Sequence, residues 1–162
     1  MSLPGEAPSP DDVAAVTQLI GRTPQGDFRV VVRSAQGEPV VLLNAPLLED
    51  ATPMPTLFWL VGKTEVAAVS TLEAEATIDQ VEELIGLDAI DAIHQEYAAQ
   101  REALIPADHS GPRPSAGVGG TRRGVKCLHA HLAYWLAGGN DAVGEWVAQR
   151  LDERGVQRAQ RI

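Results

Sequence analysis

A single cysteine, Cys127, in 162 residues excludes an intramolecular disulfide framework and a self-contained four-cysteine zinc site, leaving mixed Cys, His and carboxylate ligation as the remaining route to a metal. Aromatic residues are scarce, at 4%, and bases are outnumbered: 13 Lys and Arg stand against 22 Asp and Glu, for a net charge of -9. Phosphate neutralisation supplies most of the affinity of duplex-DNA binders, so this balance argues against one. No apolar run approaches bilayer length, and the opening MSLPGEAPSPDD has neither a basic n-region nor an apolar h-region, so the expectation is a cytoplasmic chain without membrane insertion. What is present is 44% hydrophobic and 22% charged residues at the usual length of one domain, the balance of a soluble globular chain.

A flexible leader is expected over residues 1–10, a single domain over 11–151 and a frayed tail over 152–162. Ser9-Pro10-Asp11-Asp12 reads as a helix start ahead of Val13, Val16, Leu19 and Ile20, and Gly21 as its stop. DFRVVVR and EPVVLLN, separated by Ser34-Ala35-Gln36-Gly37, read as a valine-rich hairpin, with Thr56 to Val61 as a third strand. Helical composition follows over Thr64 to Ala76, Ile78 to Ile85 and Leu87 to Ile105, the last closed by Pro106. A Pro/Gly/Ser-rich connection fills residues 106–124, a length that compact domains keep for function or leave mobile. VKCLHAHLAYWLAGG reads as a helix, and Asn140 or Asp141 as the cap of a last helix through Val143, Trp146, Val147 and Leu151. The expected fold is α+β: a small antiparallel sheet in the N-terminal third, packed against a mostly helical remainder that covers one face.

Charge is segregated. Residues 64–108 hold eleven acids against one base, Arg101, whereas residues 109–140 hold Arg113, Arg122, Arg123 and Lys126 and no acid. The basic segment either packs on the acidic helices of its own chain or meets a ligand. Gly119, Gly120, Thr121, Arg122, Arg123 and Lys126 form the candidate anion-binding set, because glycines permit close backbone approach, successive N–H groups can form a nest, and a helix N-terminus and guanidinium groups attract phosphate or carboxylate. The segment lacks the ending of a Walker loop and the preceding strand of a dinucleotide fingerprint.

Cys127, His129 and His131 follow. In a helix Cys127 and His131 share a face and His129 points away, whereas an extended segment aligns all three; the stripe Leu128, Leu132, Trp135, Leu136 favours the helix, with Cys127, His131 and Tyr134 on one flank. Three readings stay open: a buried cysteine with a hydrogen-bonded histidine; a metal held by Cys127 and His131 with His94, His109 or an acid of the long helix, too few fixed ligands to identify zinc; and a nucleophilic Cys127 assisted by His131. His94 and Arg101 share the angular sector of Ile90 and Tyr97, and either snorkel to water or line a polar pocket with His129, His131 and Tyr134.

At Arg122 to Gly139, with PTLFWLVG at residues 55–62 and Gly21-Arg22-Thr23-Pro24, the chain resembles the bacterial domain-of-unknown-function family five hundred and one, over most of residues 18–150. The resemblance implies no activity. It implies a gene context near a septum-formation initiator, enolase and a Ppx/GppA-type exopolyphosphatase, hence cell-envelope growth or polyphosphate metabolism. Many members carry a cysteine–proline pair where this chain has Gly62-Lys63; a family-wide zinc site using that cysteine would not extend to this chain.

These readings converge on a small accessory protein that binds a phosphate- or carboxylate-bearing ligand. The alternatives are a hydrolase or transferase using Cys127 and His131, and a protein-interaction module whose aromatic residues and acidic helices meet a partner.

Overall fold

The computed structural model describes residues 3–162. The elements run α1 (Pro10–Ile20), β1 (Phe28–Arg33), β2 (Pro39–Asn44), β3 (Phe58–Leu60), α2 (Lys63–Ala74), α3 (Thr77–Ile85), α4 (Leu87–Glu102), a single 3-10 turn (Val118–Gly120), α5 (Leu128–Leu136) and α6 (Ala142–Glu153). The fold is α+β, with one antiparallel sheet ordered β1-β2-β3.

Valine and leucine run without interruption through β2, and all six of its residues are buried, because both faces of this central strand are covered. Val41 and Leu43 join the main core with Val69, Ile90, Tyr97, Leu128, Leu132 and Val147, while Leu42 turns to a second cluster with Val16, Phe28 and Val61. Helical cover on one face alone is therefore incomplete as a description: α1 closes the other. Its amphipathic stripe is fixed by a capping box, in which the Ser9 hydroxyl accepts from the Asp12 N–H at 3.1 Å and the Asp12 carboxylate from the Ser9 N–H at 3.1 Å. Gly21 ends it in the left-handed conformation, φ 75°.

Two ends expected to be loose are docked. Leu3 is buried and the Gly5 carbonyl accepts from Arg29. After α6 the chain turns back, so that the Ala159 N–H donates to the buried Glu65 carboxylate at 2.7 Å and the Ile162 N–H to the Leu136 carbonyl at 3.0 Å. The guanidinium groups of Arg158 and Arg161 lie over the Trp135 ring, 5.4 and 5.2 Å from its centroid. Pairing of each arginine with an aromatic face, invisible in a composition that reads as a solvated end, holds the tail down.

Among the described residues, no helix is long and apolar enough to cross a membrane.

Candidate functional site

The helix that carries the Cys-His string starts three residues later than the run expected from Val125. Cys127 is extended, φ −150° and ψ 119°, and α5 begins at Leu128. That single residue decides the pairing: Cys127 stands with His129, its Sγ 3.6 Å from His129 Nδ1, and not with His131. His131 is fully buried on Asp141, so it is not placed to serve Cys127 as a base or as a second ligand.

Glu73 completes the first group. Its Oε1 accepts the Leu128 N–H at 2.7 Å, and His129 Nδ1 lies 3.1 Å from the same oxygen. The N-terminus of α5 does attract an anion, and that anion is this chain's own carboxylate. On its other side His129 Nε2 lies 3.2 Å from the Val66 carbonyl and 3.1 Å from Ser70 Oγ, whose hydroxyl donates to the same carbonyl at 2.8 Å. Val66, Ser70 and Glu73 recur at helical spacing on one face of α2, which is why one helix can hold both edges of the ring. A carbonyl at Nε2 and a carboxylate at Nδ1 both call for an N–H, the state of an imidazolium. Consistently, the hydrogen bond to Cys127, opposed by partial burial and reinforced by the Glu73 charge, pushes His129 from 6.5 up to about 9. The side chains of His129 and Glu73 remain 22% and 27% exposed, so solutes reach the group.

A second group lies deeper. Asp141 caps α6 by accepting the Gly144 N–H at 3.0 Å and takes the His131 Nδ1–H at 2.7 Å with its other oxygen. His131 Nε2 is buried without a hydrogen-bond partner among the described residues. The ring of His94 is 5.8 Å away, centroid to centroid. His94 Nδ1 accepts the Val118 N–H at 3.0 Å and its Nε2–H donates to the Gly124 carbonyl at 2.7 Å, which fixes the neutral tautomer and ties both ends of the glycine-rich turn to α4. Tyr134 is buried against Phe58 and Tyr97, its hydroxyl accepting from Gln100 at 3.0 Å, and lines neither the Cys127 group nor the groove described next.

That groove, of about 530 Å³, runs between α4 and the segment from Pro114 to Gly117, with Arg122 on its wall. Its floor contains Arg101, only 3% exposed, whose guanidinium donates to the carbonyls of Pro55 at 2.8 Å and Ala116 at 2.7 Å. No carboxylate lies within ion-pair distance of Arg101 among the described residues, and its Nε has no partner. Burial accordingly lowers its pKa from the usual arginine value. Of the two acids on the walls, Glu102 pairs with Arg113, and Asp91 meets Arg123 through Oδ2 at 3.4 Å while its Oδ1 is buried without a hydrogen-bond partner among the described residues. Within the loop Gly119 and Gly120 take φ of 67° and 75°, yet the N–H groups of Gly117, Val118 and Gly120 are spent on Thr121, His94 and Gly117. Thr121 Oγ donates to the Arg123 carbonyl at 3.0 Å. Of the six loop residues singled out by sequence, Arg122 and Lys126 keep side chains without an ion-pair partner among the described residues, and Arg122 alone lines the groove.

The family model of a protein of unknown function, DUF501, matches residues 30–149. The chain belongs to this family. Every side chain of the three groups just described lies inside the DUF501 match, whereas α1 and the docked tail lie outside it. No curated protein and no solved structure matches the chain. Gly62, the position at which the resemblance implies a cysteine in other members, caps the start of α2, eleven residues and about 16 Å of helix from Glu73, so that position does not border the Cys127 group.

Glu73 and Ser70 were not legible as site residues: they are ordinary members of an acidic, alanine-rich helix, and only the approach of α2 to the start of α5 distinguishes them. Asp141 was legible as a helix cap and not as the partner of His131, since one carboxylate does both.

Proposed function

We propose that this DUF501 protein binds a small phosphate- or carboxylate-bearing ligand in the groove between α4 and the segment 114–122. The observation that carries this is Arg101, a buried cation with carbonyl partners and no carboxylate, at the floor of a groove whose two acids each pair with another arginine. Desolvating a guanidinium without a counter-charge is costly, and an anion seated in the groove offsets that cost. Arg122 on the wall supplies a second cation able to grip the ligand. The volume suits a metabolite-sized molecule.

The ligand adds its binding free energy to the folded state, so it raises the melting temperature in proportion to its saturation. Inorganic phosphate, short polyphosphate, ATP and citrate, each titrated against the full chain in a thermal-shift assay and by calorimetry, separate phosphate from carboxylate chemistry. Polyphosphate belongs in the set because the resemblance implies an exopolyphosphatase nearby. The expected result is a saturable shift with at least one of the four that Arg122→Glu abolishes. A chain indifferent to all four, or one whose response survives Arg122→Glu, overturns the reading.

A further inference from the structure

Glu73, Cys127 and His129 offer three different ligand atoms, all within 4.8 Å of one another, at a place separate from the anion groove. We propose that they form a binding site for one zinc-class divalent cation, with Cys127 Sγ, His129 Nδ1 and a Glu73 carboxylate oxygen as its protein ligands.

Two of the three ligand-to-ligand distances match those of a tetrahedral site. Zinc bonds of about 2.3 Å to sulfur and about 2.0–2.1 Å to nitrogen and oxygen, set at tetrahedral angles, put sulfur about 3.6 Å from nitrogen and nitrogen about 3.3 Å from oxygen. The corresponding distances are 3.6 Å and 3.1 Å. The outer shell is also built. A ligating histidine characteristically donates its other ring N–H to a carbonyl, fixing tautomer and orientation, and His129 Nε2 faces the Val66 carbonyl at 3.2 Å and Ser70 Oγ at 3.1 Å. The Glu73 carboxylate is held in place by the Leu128 N–H at 2.7 Å. A thiolate, an imidazole and a carboxylate form a donor set that selects zinc over magnesium or calcium, which demand oxygen. On binding, the Cys127 thiol and His129 Nδ1 each give up a proton to solvent, and metal–ligand bonds replace the direct contacts between the three side chains. Three protein ligands leave the fourth position to water or a solute, the coordination of a catalytic rather than a closed structural site.

The test is titration of the chelator-treated, untagged full chain with Co(II) and then Zn(II). The expected result is one equivalent of Co(II) giving thiolate-to-metal charge-transfer absorption and tetrahedral ligand-field bands, displaced by Zn(II). Cys127→Ser removes the charge-transfer absorption, and Ser70→Ala, which touches no metal, weakens binding by roughly 10- to 100-fold. Glu73→Gln keeps an acceptor for the Leu128 N–H and also weakens binding, while His109→Ala, on the exposed loop, changes nothing. Absence of binding, an octahedral cobalt spectrum without charge transfer, or a charge-transfer band that survives in Cys127→Ser overturns the site. Should Cys127→Ser fail to fold, alkylation of the wild-type thiol decides: zinc protects Cys127 if the site exists, and an alkylation rate indifferent to zinc overturns it.

Discussion

A single carboxylate with two tasks makes Asp141 sensitive to substitution. Oδ1 caps α6 through the Gly144 N–H and Oδ2 receives the His131 Nδ1–H, with both side chains wholly buried. Asp141→Ala removes the cap and leaves a buried imidazole N–H without an acceptor, losses that together cost roughly 2–4 kcal/mol. Asp141→Asn keeps the capping oxygen and turns its amide toward His131, whose only relief is the other tautomer, with Nε2–H then buried in a place that offers it no partner. Urea denaturation checks both: the midpoint falls for each, more for alanine, at unchanged slope. At this scale the sequence was readable where chemistry is local, as at Ser9 and Asp141 as caps. It was unreadable where a partner arrives from another element, as Glu73 does at His129.

Between elements, close approach and register decide the outcome. Gly144 sits where a Cβ would meet the His131 carbonyl and the Trp135 Cβ, so α6 crosses α5 at backbone distance. Gly144→Ala forces the two helices apart and costs about 1–3 kcal/mol, the usual range for overpacking, and a lowered melting temperature by circular dichroism is the check. The strands and helices were legible because alternation, valine runs, caps and glycine stops agree with one another. The first residue of α5 was not, since Leu128, Leu132 and Leu136 define the stripe without saying on which side of Cys127 the helix begins. The connection at 106–124 was ambiguous for a related reason. What orders its second half is the pair of inward polar side chains of α4, Arg101 to the Ala116 carbonyl and His94 to Val118 and Gly124. The attachment of α1 to β1 predicts a pH dependence. Arg33 forms two hydrogen bonds with the Asp12 carboxylate, 2.7 and 3.0 Å, and with the Ser9 N–H holds its pKa far below the usual 3.8. A carboxyl depressed by folding contributes stability above its unfolded pKa and loses it as pH falls through that value toward the folded one. Stability therefore declines below about pH 4, and Asp12→Asn flattens that part of the profile in denaturation curves taken across the acid range.

At the scale of the whole molecule, the tail after α6 runs from the first turn of α2 to the end of α5, adding to the direct packing of those two helices. Ala159 caps the buried Glu65 at the first turn of α2, Arg161 donates to the carbonyls of Trp135, Gly138 and Gly139 where α5 ends, and Arg158 and Arg161 cover Trp135. Deleting residues 156–162 exposes Trp135 and leaves the Glu65 carboxylate without the Ala159 N–H. The lost hydrogen bonds and stacked cations, together with the apolar contacts of Val156 and Ala159 with the main core, predict a less stable chain whose melting temperature falls by several degrees. Glu65→Gln in the full chain separates the two effects, since the amide oxygen still accepts the Ala159 N–H and the tail stays down. Thermal denaturation followed with Trp135→Phe as a fluorescence control reads both events, because tail removal red-shifts the emission of the newly exposed indole. A truncated chain that melts with the full one and keeps its emission would show that docking of the tail contributes nothing to the fold.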